Sequence, residues 1–282
     1  DFDCPPHFYA GGNHPQFSWF AQLMKYANRM CRLLNGGMHK ACAAVLYDAE
    51  ADWAGEHMPM QKVCRVLTEN QIEFDIVCLD MLAQSEHDNG ILKNGKLCIN
   101  GVKFDALLVP YAKYVSKTLA EFAARAETLP IYWIGAAPKR VLCGIDPQEA
   151  ADAKAGWDRA WSESFEMVSL EELADKMKKA GFVSLSLDRP FSQMNVYHYE
   201  TDRQIFMFQN ESAYEPFYGN AILPLPCGMQ MVYYDAYEDV YTDEAYGDLK
   251  NIIISLAQIT MKGQSEKDIN RVKSLLELPD GL

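Results

Sequence analysis

The chain has 282 residues, of which 49% are hydrophobic, and its formal net charge is −13. This length and apolar content suit a globular protein with a sizeable core, in one large domain or two modest ones. The acidic charge argues against a nucleic-acid partner, which requires a basic face, and no apolar run reaches the ~20 residues that span a bilayer. We therefore expect neither nucleic acid nor membrane as a partner.

The first predicted elements are a polar loop and a long helix. The loop, within PPHFYAGGNHPQF, combines glycines with hydrogen-bonding side chains that include Asn13 and His14. Apolar residues then recur at three- and four-residue spacing over 17–34, which predicts one apolar helix face, until a Gly-Gly pair ends the pattern. Because a flexible polar loop leads directly into this helix, we predict residues 1–37 to be the tail of a preceding domain.

Four apolar strands follow, and helical segments separate them. The strands are ACAAVLYD, FDIVCLD, DALLVPY and LPIYWIG; the helices are MPMQKVCRVLTENQ, SKTLAEFAARAE and SLEELADKMKKAGF; ILKNGKLCINGVKF predicts a hairpin with two Asn-Gly turns. Apolar strands without alternation predict a parallel sheet covered on both faces, so we expect a flavodoxin-like, doubly wound α/β domain over 38–181.

Local signals complete this domain. Ser116 is predicted to cap the second of these helices, and Ser169 with Glu172 fits a capping box at the third. The charged, alanine-rich stretch 147–166 predicts a surface helix or a linker.

The remaining residues, 182–282, are rich in short aromatic strands. MNVYHYE, RQIFMFQNES, NAILPLP and MQMVYYDAYED predict a smaller, sandwich-like β-rich module. LKNIIISLAQITM fits either a strand or a buried helix, because periodicity does not decide between them. SEKDINRVKSLLEL predicts a C-terminal helix.

The eight cysteines form no C-x-x-C pair, and several lie within apolar strand or helix patterns. This usage is typical of reduced core thiols in a cytoplasmic protein, although a chain that begins with Asp1 leaves export open.

No metal or cofactor is expected. The Cys4–His7 and His39–Cys42 pairs each lack the second pair that a structural zinc site needs, and the first strand-to-helix turn has no phosphate loop for a nucleotide or a flavin. The residues after DALLVPY offer no nucleophilic Cys or Ser, so amidotransferase chemistry is not expected. His198, which alternates with aromatic residues, is expected to be structural.

The strongest candidate site is the acidic segment after the first strand. In open α/β sheets, ligands bind beyond the carboxyl ends of the strands, near the switch point. This segment contains Asp48, Glu50, Asp52, Trp53, Glu56 and His57. Carboxylates accept hydrogen bonds from sugar hydroxyls, and a tryptophan face packs on sugar C–H groups. The pattern fits either a carbohydrate-facing loop or a solvated acidic loop whose Trp is tucked into the domain.

Three motifs in order, GGNHPQF, AVLYDAEADW and FMFQNES, resemble bacterial glycoside hydrolases related to the α-L-rhamnosidases. In those enzymes the end of a (β/α)₈ catalytic barrel passes through a long helix into a flavodoxin-like domain. That domain is similar to the trimerisation domain of β-galactosidases, and a β-sandwich module follows it. The resemblance implies that Asn13 and His14 lie near the sugar site of the barrel, and that Asp52 and Trp53 face the same cleft, with Glu56 as a further candidate for substrate binding.

The resemblance also implies what this chain lacks. Glycosidic cleavage uses two carboxylates, which lie on earlier barrel strands in such families, and a barrel takes roughly 250 residues. We therefore expect a non-catalytic, C-terminal accessory part that shapes the sugar cleft or holds subunits together. Its partners would be carbohydrate, through the catalytic domain, and further copies of itself in a homo-oligomer.

Two other functions stay open: a small intact hydrolase that uses Asp52 or Glu56 with His57 or His14 as acid and base, and a carbohydrate-binding module. An exposed apolar patch around Phe17, Trp19 and Phe20 would favour the accessory function, and a closed pocket with a carboxylate pair would favour the enzyme.

Overall fold

The computed structural model describes residues 12–83, 92–142, 151, 157, 165–183, 185–212, 214–223, 230–242 and 251–257. The helices are α1 (Phe17–Leu34), α2 (Ala49–Ala54), α3 (Met60–Glu69), α4 (Leu79–Ala83), α5 (Lys117–Arg125) and α6 (Leu173–Lys179). The strands are β1 (Met38–His39), β2 (Ala43–Tyr47), β3 (Phe74–Cys78), β4 (Leu92–Lys93), β5 (Lys96–Ile99), β6 (Val102–Phe104), β7 (Ala106–Pro110), β8 (Tyr114–Ser116), β9 (Ile131–Ile134), β10 (Arg140–Leu142), β11 (Phe165–Val168), β12 (Ser186–Leu187), β13 (Met194–Glu200), β14 (Gln204–Asn210), β15 (Ala221–Ile222), β16 (Gln230–Asp235), β17 (Val240–Thr242) and β18 (Asn251–Ala257). Within these ranges, every helix is too short or too polar to cross a membrane.

Five strands form a parallel sheet in the spatial order β11-β9-β7-β2-β3. The three central strands are almost entirely buried, because helices cover both faces, and this explains their apolar sequences without alternation. One face packs on α4 and α5 around Trp133 and Phe122, and the other packs on α3 and α6 around Leu67 and Met177. The predicted α/β class with a parallel sheet is confirmed.

The edge strand β11 differs from the prediction. Residues 147–166 are predicted as a surface helix or a linker. Ala151 and Trp157, the described residues of 147–164, are helical, but β11 begins at Phe165 and pairs with β9. Glu166 and Met167 are exposed, whereas Val168 is buried. Because an edge strand has a neighbour on one side only, it lacks the apolar run that marks the central strands.

Local signals in the sequence are confirmed more closely. Ser116 Oγ accepts a hydrogen bond from the Leu119 amide at 3.2 Å as the N-cap of α5. Ser169 Oγ accepts one from the Glu172 amide at 3.2 Å just before α6. β4, β5 and β6 form an antiparallel meander, and both of its Asn-Gly turns have the positive φ angles that tight hairpins need.

The second large sheet is antiparallel, in the order β1-β13-β14-β18-β16-β17. Along β14, Phe206 and Phe208 pack on one face, whereas Ile205 faces the other, where Leu33 of α1 lies. The segment LKNIIISLAQITM, which fits either a strand or a buried helix by its sequence, contains the strand β18. This strand pairs with β14 and β16. The predicted C-terminal helix lies outside the described residues.

The first strand, β1, couples the two sheets. Met38 and His39 pair with Glu200 and Tyr199 of β13, and the chain then enters β2 of the parallel sheet. The second half of α1 packs on the antiparallel sheet, where Tyr26 stacks on Tyr237 at a centroid distance of 4.1 Å. The helix predicted to link two domains is therefore packed against the β-rich part.

Candidate functional site

The acidic segment lies at the carboxyl end of β2. In chain order the parallel strands are β2, β3, β7, β9 and β11, so β2 lies between the second and third strands of the sheet. The strand order reverses at this place, which is where open α/β sheets bind ligands. We call Asp48, Asp52, Trp53, Glu56 and His57 the carboxyl-edge site.

The segment forms the short helix α2 where only a loop is predicted. Asp48 is the cap of this helix, because its Oδ1 accepts a hydrogen bond from the Ala51 amide at 3.0 Å. The Asp48 side chain is buried, and its Oδ2 has no hydrogen-bond partner among the described residues. One carboxylate of the candidate site therefore holds the backbone in place.

Asp52 and His57 form an ion pair within the carboxyl-edge site. Asp52 Oδ1 lies 4.0 Å from His57 Nε2, and His57 Nδ1 donates a hydrogen bond to the Gly55 carbonyl at 3.1 Å. Burial raises the pKa of the Asp52 carboxyl above its ordinary value; His57 lowers it, and the charge of Asp48 raises it again. Asp52 therefore holds a proton more readily than an ordinary aspartate does.

The cavity at this edge is small. Its volume is about 20 Å³, and it is lined by Asp48, Asp52 and mainly apolar side chains from β2, β7 and their neighbours. Such a space holds about one water molecule, not a sugar ring. A carboxylate pair is present, but the closed pocket that would favour an enzyme is not found here.

Trp53 and Glu56 do not line this cavity. The Trp53 side chain is 85% exposed, so the prediction of a Trp tucked into the domain is wrong. Glu56 is also exposed, and its backbone carbonyl accepts a hydrogen bond from the Lys113 amide at 2.7 Å. The site thus presents an aromatic face and a carboxylate outward.

Asn13 and His14 lie in the turn that precedes α1. Both are exposed, and His14 Nδ1 accepts a hydrogen bond from the Gln16 amide at 3.1 Å in the turn before α1. Nearby, Phe17 is 45% and Trp19 is 64% exposed, which is the exposed patch that would favour the accessory function, although Phe20 is partly buried.

Sequence reasoning missed a second polar cluster. His39 Nδ1 donates to Asp75 Oδ1 at 2.8 Å, and its Nε2 donates to Glu73 Oε1 at 3.3 Å. Burial lowers the pKa of His39, but the hydrogen bonds to Asp75 and Glu73 and their charges outweigh burial and raise it to about 9. Glu73 is buried and also accepts from the His198 amide. The one signal in the sequence was a charged residue within the otherwise apolar FDIVC.

Histidines and cysteines near this cluster have structural roles. The sequence places His39 near Cys42 as a potential pair of zinc ligands, but the Cys42 thiol donates to the carbonyls of Glu73 and Phe182. His198 is buried, stacks on Phe206 at 4.1 Å and bonds to a glutamine, as predicted for a structural histidine. The five cysteines in the described ranges (31, 42, 64, 78 and 98) are free thiols.

Comparisons with known proteins identify the fold. A rhamnosidase from Novosphingobium sp. PP1Y superposes with a TM-score of 0.58 at 11% identity, over 89% of this chain and 26% of its own. A GH42 exo-carrageenase from Bacteroides ovatus gives a TM-score of 0.48 at 11% identity, over 86% and 32%, respectively. The GH42 β-galactosidase Gan42B gives 0.49 at 10% identity, over 85% and 43%. No protein-family model matches the sequence. No curated protein is significantly similar to it in sequence.

The comparison with the rhamnosidase supports a conclusion about the fold of this chain. The chain shares the fold of part of a glycoside hydrolase and spans about a quarter of that enzyme's length. At 11% identity, this likeness concerns the fold alone.

Proposed function

We propose that this chain is an accessory, non-catalytic part of a glycoside hydrolase related to the α-L-rhamnosidases, and that its carboxyl-edge site forms one wall of a sugar cleft. In this proposal residues 1–37 continue from a catalytic barrel, 38–181 are a flavodoxin-like domain and 182–282 are the β-rich module. The likeness to part of a rhamnosidase supports this arrangement. The strand order 2-1-3-4-5 of the parallel sheet supports the flavodoxin-like assignment.

The observation that carries the sugar-facing role is the exposure of Trp53. A tryptophan that is 85% exposed at the switch point of an α/β sheet offers a large flat apolar face where ligands of such sheets bind. The exposed Glu56 and the partly exposed Asp52 lie close by in the sequence and can accept hydrogen bonds from sugar hydroxyls. An aromatic face beside carboxylates is suited to a neutral polyhydroxylated ligand.

The same geometry supports a non-catalytic role. Hydrolysis of a glycosidic bond needs two carboxyl groups on opposite sides of that bond, about 5 to 9.5 Å apart, with the sugar between them. Here Asp48 is bound to the backbone of α2, and the cavity that it shares with Asp52 is too small for a sugar. The acid and the base would therefore come from the catalytic domain.

One observation favours the alternative, a small intact hydrolase. Asp52 has a raised pKa and lies 4.0 Å from His57, and a carboxyl with a raised pKa beside a histidine is a common acid–base arrangement. A hydrolysis assay on nitrophenyl glycosides separates this alternative from the accessory function.

The sugar-facing role is tested by NMR on the five tryptophan indoles. Each indole N–H gives one ¹H–¹⁵N signal, and a Trp53→Phe variant assigns that of Trp53. D-galactose and L-rhamnose are then titrated into the chain up to high millimolar concentration. We expect the Trp53 signal to shift, while that of Trp133, which is 1% exposed, stays in place as an internal control. A Trp53 signal that does not respond to either sugar would contradict the proposed wall.

A further inference from the structure

A larger cleft lies at the opposite edge of the parallel sheet. It separates the amino end of β3 from β13 and has a volume of about 310 Å³. This volume lies at the lower end of the range for small-molecule sites. We call it the amino-edge cleft, and the residues that matter for its chemistry are His39, Glu73, Asp75, Asn195, Tyr197 and Tyr199.

One wall of the amino-edge cleft is a strand face. Asn195, Tyr197 and Tyr199 alternate along β13, so their side chains project from the same face of the strand. Tyr197 is 38% exposed, which leaves part of its ring accessible from the cleft. A tyrosine ring offers a flat apolar surface beside a hydroxyl that can form hydrogen bonds.

Asn195 points to a ligand. The residue is only 8% exposed, and its side-chain amide makes no hydrogen bond with any described residue. It lines the amino-edge cleft and is not among the side chains whose polar atoms are sealed from solvent. The Asn195 amide therefore reaches the cleft and offers two donors and an acceptor to a molecule there.

The opposite wall of the amino-edge cleft carries charged side chains whose net charge is small. Asp75 and Glu73 hold His39 between them, and a protonated His39 offsets one of the two carboxylate charges. The Asp75 side chain is 34% exposed, so it can accept hydrogen bonds from the cleft in addition to that from His39. The residual charge is negative, which disfavours phosphates and other anions, whereas hydroxyl groups are suitable donors to Asp75.

We propose that the amino-edge cleft binds a single sugar residue, with a face of the ring on Tyr197 and its hydroxyls on Asp75 and Asn195. The choice of a sugar as the ligand rests on the proposed function; the existence of the cleft and its polar groups does not. This second carbohydrate site is separated from the carboxyl-edge site by the length of a strand, about 16 Å for five residues. The chain would thus hold a saccharide at a place remote from the cleft that Trp53 faces.

The test uses the 282-residue chain and the same two sugars, D-galactose and L-rhamnose, with the side-chain amide of Asn195 as the probe. Its signals are assigned by their loss in Asn195→Ser. We expect these signals to shift with at least one of the two sugars. Tyr197→Ala should weaken that binding about three- to tenfold, while Tyr197→Phe, which keeps the ring, should bind as the wild type does.

Tyr214→Ala is the matched control, because Tyr214 is 96% exposed and is not part of the cleft lining. The melting temperatures of all variants are compared first, so that a loss of binding is not a loss of folding. Asn195 signals that do not move with either sugar, or a Tyr197→Ala variant that binds as Tyr214→Ala does, would overturn the proposal. A shift of the Trp53 indole alone would leave the proposed function intact and reject this cleft, and a shift of Asn195 alone would do the reverse.

Discussion

The two edges of the parallel sheet both carry carboxylates and a histidine, but they are constructed differently. At the carboxyl-edge site, Asp52 and His57 approach only to 4.0 Å beside a cavity of about 20 Å³, and Trp53 projects into solvent. At the amino-edge cleft, His39 is bonded to two carboxylates, and the space beside it is about 310 Å³.

The difference follows from what packs at each edge. The antiparallel sheet lies against the amino edge through β1 and β13, so side chains from two sheets enclose a cleft there. At the carboxyl edge, α2 and the segments after β2 and β7 close over their own core and leave only an outer surface. A cleft between two packed sheets can hold a ligand within this chain, whereas an outward aromatic face needs a ligand or a partner from outside. Substitutions at the two edges should therefore have unequal consequences.

Among substitutions at the two edges of the parallel sheet, the largest effect on stability is expected for Glu73→Ala. The Glu73 side chain is 2% exposed and accepts hydrogen bonds from His39 and from the His198 amide, so its removal leaves a buried imidazolium and a buried amide with fewer partners. We expect the free energy of unfolding to fall by about 3 kcal/mol. Urea denaturation measures it, with Glu50→Ala at the carboxyl edge as the exposed control. An equal loss of unfolding free energy in the two variants would show that the two edges do not differ in their contribution to stability.

The second effect is on the pH dependence of stability. The pKa of His39 is about 9 in the folded chain, above the ordinary value of about 6.5, so its contribution is complete below about pH 6.5 and is lost as the pH rises through 9. After allowance for solvent screening of a partly exposed ring, we expect a loss of about 2 kcal/mol across this window. Denaturation at pH 6.5 and 9.5 should show this loss in the wild type and a smaller one in His39→Gln. Identical losses in the two proteins would show that another group is responsible.

A smaller effect is expected for Asp48→Ala. The substitution removes the cap of α2, which typically costs about 1 kcal/mol, and it also removes a negative charge that raises the pKa of Asp52. We therefore expect modest destabilisation together with a lower Asp52 pKa, measured by NMR titration of the carboxyl carbons. An unchanged Asp52 titration would mean that the two carboxylates do not interact.

The smallest effect is expected for Trp53→Ala. Because the side chain is 85% exposed, its removal should change the free energy of unfolding by less than about 0.5 kcal/mol. Trp133→Ala, in the core of the parallel sheet, should cost about 3 to 5 kcal/mol. Destabilisation by Trp53→Ala that approaches that of Trp133→Ala would show that Trp53 packs on this chain and does not face outward.

The elements that are predicted correctly are marked by patterns among residues that lie close together in the sequence. The central strands are apolar without alternation because both faces are covered, and the capping residues Ser116 and Ser169 act within one turn of helix. The edge strand β11 was missed because a strand with a neighbour on one side only lacks the continuous apolar run of the central strands. The helix α2 was missed because its six residues are too few to show a helical apolar period.

The carboxyl-edge site could be located from the sequence because the ligand position of an α/β sheet follows from strand order. The volume of its cavity, about 20 Å³, could not be predicted, because it depends on how side chains from β2 and β7 pack together. The amino-edge cleft was missed altogether. Its residues come from β1, β3 and β13, and only the packing of two sheets brings His39, Asp75 and Asn195 together. Contacts between segments so distant in sequence leave no spacing to recognise.

The most direct test of the accessory function is a hydrolysis assay of the 282-residue chain on a panel of nitrophenyl glycosides, with Asp52→Asn and Glu56→Gln alongside. Circular dichroism confirms first that all three proteins are folded. We expect no turnover of any glycoside by the wild type, because the cavity beside Asp52 admits no sugar ring. Turnover by the wild type that is lost in either variant would contradict the account and would make the carboxyl-edge site an active site.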